Sequence, residues 1–145
     1  MSRFAFLAWI VPAIATVAGV AGMVGAWVAV GALSGSSLSW LALVAALDVV
    51  LLLRLAHAPP GRGRVLVAVA STFVIVAAAQ WLLAATRIGA LVGLEPFASA
   101  ARLGPALGWQ VVKLSLGRVD WVLLLASLPL AAILAEAPAR APRKD

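Results

Sequence analysis

Cysteine, tyrosine and asparagine are absent from this 145-residue chain, and histidine occurs once, as His57. Without cysteine there is no disulfide frame, no thiolate ligand and no thiol nucleophile. A single histidine rules out a bis-histidine haem within the chain and any histidine-rich metal site. Charge is scarce as well: 11% of residues are charged, against roughly a quarter in a soluble domain of this size. No glycine-rich loop follows a strand in the manner of a phosphate-binding site. A serine–histidine–carboxylate cluster would need His57 to meet Glu95 or Asp120, which the topology below places at the opposite end. A carboxylate dyad needs two acids close together, and the acidic residues are spread along the chain. The chain therefore reads as non-catalytic, with no cofactor and no metal.

What remains is apolar. Hydrophobic residues make up 65% of the chain and the mean hydropathy is +1.13. That leaves too little polar surface to cover a globule, so most of the chain must be solvated by lipid. The formal charge of +6 would ordinarily raise nucleic acid as a partner. Here the basic residues lie in loops and tails between apolar runs, where topology determinants belong, and no basic face supports nucleic-acid binding.

The expected fold is an all-α integral membrane protein. One transmembrane domain, residues 1–135, has four transmembrane helices in two antiparallel hairpins, with a short amphipathic interfacial segment between helices 3 and 4. The first helix spans about residues 4–31, an apolar run far longer than the roughly 7–15 residues of a signal-peptide core. Pro12 either kinks it or ends an interfacial first turn. The uncharged turn GALSGSS leads to the second helix, about 38–56, and HAPPGRGR closes it. The third helix covers about 65–86 and the fourth about 119–135. Between them, residues 87–118 are broken by Pro96, Gly104, Pro105, Gly108 and Gly117 and cannot form one span. A short amphipathic helix over 106–116 is expected there, with Leu107, Val111 and Leu114 on one face and Trp109 at headgroup depth. A two-residue ribbon over 113–120 is the competing reading. Residues 136–145 form a flexible basic tail.

The basic residues also set an orientation. With the N-terminus inside, Arg3, Arg54, Arg62, Arg64, Arg140, Arg143 and Lys144 lie on the inner side, against Arg87, Arg102, Lys113 and Arg118 outside. That excess places both termini in the cytoplasm. The Ala, Val, Leu, Gly and Arg bias with only two lysines suggests a GC-rich bacterial genome, hence a multi-pass protein of a bacterial inner membrane.

Four groups of residues are candidates for function. Asp48, the only acid inside an apolar span, is expected to face Ser71, Thr72 or Ser127 across a glycine-lined gap; Gln80 is a further intramembrane polar residue, expected to bond between helices. Gly19, Gly22 and Gly25, with the alanines around them, give small-x3-small spacings that pack helices closely; packing within the chain is preferred over homodimerisation. Arg54, His57, Arg62 and Arg64 form an inner cluster for anionic lipid heads. Glu95, Arg102, Trp109, Lys113, Arg118 and Asp120 form an outer-loop binding region, with Glu95 near Arg87 and Arg102, and Asp120 near Arg118, as possible ion pairs.

The leading functional reading is an accessory or assembly subunit that packs against a larger membrane complex. The alternatives are a subunit of an oligomeric small-molecule or ion transporter or channel using Asp48, and a lipid- or periplasm-facing binding, sensor or immunity protein using residues 87–118. Expected partners are membrane lipids and a membrane protein or a second copy of the chain.

Overall fold

The computed structural model describes residues 9–136, which contain six helices and no strand. The first residues of the expected first helix, the basic tail from 137 onward, and with them Arg3, Arg140, Arg143 and Lys144, lie outside the described residues.

Helix α1, Ile10–Ser34, holds Pro12 in its first turn, where a missing N–H leaves no bond unmade. It stops at Gly35, whose φ of 66° is the left-handed conformation that ends a helix without steric cost. The turn that follows is pinned by Trp27, fully buried, whose Nε1 donates to the Ser37 carbonyl at 2.9 Å. Helix α2, Leu41–Leu55, is shorter than the expected 38–56. Its 15 residues rise about 22 Å, less than the ~30 Å of a bilayer core. At its end His57 takes φ 57°, a region histidine enters more readily than most residues, and Ala58 N–H closes back onto the Leu53 carbonyl at 2.9 Å.

Helix α3, Arg62–Val92, runs three residues earlier and six later than its expected 65–86. Arg62 and Arg87 are good helix formers, and charge ends a membrane-buried stretch without ending a helix. Only Gly93, at φ 70°, stops it. Two short helices follow, α4 at Pro96–Arg102 and α5 at Pro105–Ser115, each with a proline in its first turn. The ribbon over 113–120 does not form. Helix α6, Arg118–Glu136, completes the described chain and carries Pro129 inside it.

Helices α2 and α3 pack on each other, and both pack against α1 on one side and α6 on the other. Arg54 from the end of α2 and Arg64 from the start of α3 reach carbonyls near the end of α6. Ser37, ahead of α2, reaches Asp120 at the start of α6. These contacts define an arginine end and, around α5, a tryptophan end, with α1 and α3 running one way and α2 and α6 the other. The seam between the helices is built from small residues, among them Ala42, Ala45, Ala46, Ala68, Ala79 and Ala131, all buried, which let backbones approach closely.

The outside is as apolar as the inside. Ile14, Val17, Leu66, Phe73, Val122 and Ile133 are all exposed, spread over α1, α3 and α6. A protein solvated by water rarely presents so much contiguous apolar surface. Three helices, α1, α3 and α6, are long and apolar enough to cross a membrane. Over the described residues the chain is an all-helical membrane protein.

Candidate functional site

Asp48 lies at the midpoint of α2, half-exposed. Its carboxyl lies on the side of α2 that meets α1. A Cβ on Gly19 would collide with the end of the Leu52 side chain and lie 3.9 Å from Asp48 Oδ2. Two of the three hydroxyls expected to satisfy Asp48 are occupied elsewhere. Thr72 Oγ1 donates to the Ala68 carbonyl at 2.8 Å and Ser127 Oγ to the Leu124 carbonyl at 2.6 Å, both within their own helices. Ser71 is half-buried on α3 with no hydrogen bond to Asp48. Among the described residues no hydrogen bond or ion pair reaches the Asp48 carboxyl.

The glycines of α1 divide. Gly19 sits against α2, but Gly22 and Gly25 have nothing within 4 Å of where a Cβ would stand. Ala18, Ala21 and Ala26 are exposed with them. The packing within the chain preferred for this face therefore holds at Gly19 and not at Gly22 or Gly25. The reason is the core stripe of α1, which runs through Pro12, Thr16, Trp27 and Gly31 and turns the small residues outward.

At the arginine end, two of the four basic residues are committed to protein. Arg64, only 7% exposed, donates through Nε to the Ala135 carbonyl at 2.8 Å, and Arg54 Nη2 donates to the Leu134 carbonyl at 2.6 Å. Both carbonyls belong to the last turn of α6, which has no intrahelical partners for them and carries the negative end of the helix dipole. His57 and Arg62 are exposed.

At the tryptophan end, Asp120 does not pair with Arg118. Its Oδ2 accepts from the Gly117 N–H at 2.8 Å and its Oδ1 from Ser37 Oγ at 3.4 Å, so it caps α6 and ties that helix to the α1–α2 turn. Glu95, exposed ahead of α4, makes no ion pair with Arg87 or Arg102 among the described residues. Arg102, Arg118 and Lys113 are exposed, and Lys113 Nζ lies 6.0 Å from the centre of the Trp109 ring.

The protein-facing side of α5 is not the face that carries Leu107 and Leu114. Gly108 and Val112 are buried, whereas Leu107 and Leu114 are exposed. Gly108 lies directly under Trp81: a Cβ there would come within 2.5 Å of the indole ring. Trp109, beside it, meets Trp121 edge to face at 5.8 Å between ring centres. These three indoles hold α5 over a cavity of about 500 Å³ between α3, α5 and α6. From α3 the cavity takes Phe73, Ala77, Gln80 and Trp81; Trp109 and Val112 of α5 close one end; Trp121, Leu124 and Leu125 of α6 form the far wall. Gln80 is 7% exposed and its Nε2 is buried with no hydrogen-bond partner among the described residues. The interhelical bond expected of Gln80 is therefore absent. Sequence reasoning missed the cavity because Trp81, Trp109 and Trp121 lie on three separate helices, and the residue that brings them together is a glycine.

No protein-family profile matches the chain, and no curated protein or solved structure is significantly similar to it. The reading of function rests on the residues themselves.

Proposed function

We propose that the protein is a non-catalytic, four-pass membrane subunit that docks laterally on a larger membrane complex through the side where α1 meets α2. The observation that carries this reading is Asp48: a carboxyl at the middle of a helix, unpartnered among the described residues, beside a helix face whose small residues are uncovered. An acid near a bilayer centre costs about 2.5–3.5 kcal/mol on insertion scales. A partner helix seated on Gly22 and Gly25 would bring backbone and side-chain donors within reach of it, and close approach in lipid favours small-x3-small faces of this kind.

In this reading α2 crosses the bilayer as the most enclosed of the four helices, its short length made up by residues 38–40 and the surrounding bundle. The helices form two antiparallel hairpins, α5 lies at the outer interface with Trp109 at headgroup depth, and the arginine end faces the cytoplasm of a bacterial cell. The same carboxyl suits a second reading, a coupling group in an oligomeric transporter. Two substitutions separate them. Asp48→Asn keeps a hydrogen-bond acceptor but cannot exchange a proton, so docking survives while proton-coupled flux is lost. Asp48→Leu removes the acceptor and releases the partner. Recovery of the partner with both variants, measured by affinity purification in mild detergent, would refute docking through this carboxyl.

A further inference from the structure

The cavity between α3, α5 and α6 lies apart from the side where α1 meets α2, and its lining is graded along its length. At the tryptophan end it is walled by the indoles of Trp81, Trp109 and Trp121; further along, by Phe73, Leu125 and Leu128. Along α3 the lining from Phe73 to Trp81 rises about 12 Å, and along α6, which runs the other way, Trp121 to Leu128 covers about 11 Å. Both lengths are close to the ~15 Å of hydrocarbon in one leaflet. Phe73 stands about 14 Å along α3 from Arg64, so the cavity begins near the middle of the bilayer and ends among indoles, which favour the interface.

Wall and mouth together restrict the guest. The volume, about 500 Å³, lies within the range of small-molecule sites, roughly 300–1,000 Å³. Gln80 is the one side-chain amide on the wall, and its Nε2 is buried out of the cavity's reach. A buried water needs about two to four polar partners, so water is poorly served by these walls. Phe73, Ala77 and Leu125 line the cavity and are exposed on the apolar flank of α3 and α6, so the opening faces lipid. A lipid chain entering there exchanges one apolar surrounding for another. Shape therefore admits the chain, and the head selects which lipid stays.

At the tryptophan end the head meets a cation. Lys113 is exposed one turn on from Trp109, with Nζ 6.0 Å from the centre of the Trp109 ring, and among the described residues no carboxylate pairs with it. Asp120 is bonded to the Gly117 N–H and to Ser37 Oγ. Across residues 87–120 the basic residues Arg87, Arg102, Lys113 and Arg118 outnumber the acids Glu95 and Asp120. We propose that this cavity holds one acyl chain of an anionic glycerophospholipid, with its phosphate head at Lys113 beside Trp109. The head's negative charge complements the lysine, and the three indoles flank the glycerol end of the chain.

The test uses the full chain in nanodiscs of unlabelled phosphatidylcholine. Phosphatidylglycerol or phosphatidylcholine, each brominated on its acyl chains, is introduced at equal mole fraction, and bromine quenches tryptophan on contact. The expected result is quenching that saturates at low mole fraction, with phosphatidylglycerol favoured up to about fivefold in affinity, the worth of one lysine facing an anionic head. Lys113→Gln, at an exposed position, brings the two lipids to equal affinity. Ala77→Phe, which fills part of the cavity from an exposed position, removes the saturable component for both. Far-ultraviolet circular dichroism checks that both variants are folded, and should Ala77→Phe misfold, Lys113→Gln carries the test alone. Equal affinity for the two lipids in the parent chain overturns the proposal. So does a preference that survives Lys113→Gln or a folded Ala77→Phe, which would put the anionic lipid elsewhere on the protein, such as the arginine end.

Discussion

Gly108→Ala is the most direct probe of how α5 is seated. In an unconstrained helix this change stabilises by about 1 kcal/mol, because alanine loses less conformational freedom than glycine. At Gly108 the added methyl would stand 2.5, 2.7 and 3.1 Å from three atoms of the Trp81 ring. All three belong to one rigid indole packed between α3 and α5, so the ring must move as a body or α5 must lift. Overpacking of this kind costs about 1–3 kcal/mol, which outweighs the gain in propensity and leaves a net loss of up to about 2 kcal/mol. Gly22→Ala is the matched control, since nothing lies within 4 Å of its new methyl; it should gain up to about 1 kcal/mol. The two alanines should therefore differ by about 1–3 kcal/mol in opposite directions. Thermal unfolding of the detergent-solubilised protein, followed by tryptophan emission, measures both, and Gly108→Ala should also shift the emission of the folded state as the indole cluster loosens. Equal stability of the two variants, with unchanged emission, would show that α5 does not rest on Trp81.

Two further predictions concern the ends of the bundle. Asp120→Ala removes the acceptor of the Gly117 N–H and the tie to Ser37, and should destabilise the folded protein by about 0.5–2 kcal/mol in the same unfolding assay; no change would mean that α6 is capped by other groups. Because the chain has no cysteine of its own, single cysteines report topology directly. In spheroplasts, a membrane-impermeant maleimide should label Ser36→Cys and leave Arg62→Cys unlabelled, and the reverse pattern would invert the proposed orientation.

Much of the fold can be read from punctuation in the chain. The Pro59–Pro60–Gly61 run separates α2 from α3, and Pro96 and Pro105 begin α4 and α5, because prolines and glycines act locally through the backbone. The length of α3 was less legible. Arg87 looks like the end of an apolar span, yet a helix continues through an arginine until a residue such as Gly93 can turn left-handed. Packing faces were harder still. For α5 the sequence shows an apolar face with Leu107 and Leu114 but not the side that meets the protein, where the close contact is made by Gly108, whose lack of a side chain admits the indole. For α1 the spacing of Gly22 and Gly25 suits a helix contact without indicating which helix supplies it. The Arg54 and Arg64 bonds to carbonyls of α6 join residues 80 and 71 positions apart, and such pairings arise only once the bundle has closed. The unpartnered amide of Gln80 is of the same kind: its burial follows from the helix period, and its lack of a partner from the arrangement of three helices.

In the proposed function this chain completes a larger membrane assembly through the side of α1 and α2 that carries Gly22, Gly25 and Asp48. It is tested most directly by native-mass measurement of the protein extracted gently from its own membrane. The expected result is a defined heteromeric complex that is retained with Asp48→Asn and lost with Gly22→Leu or Asp48→Leu, the variants remaining folded and inserted. A bare monomer, or a homo-oligomer indifferent to all three substitutions, would contradict it.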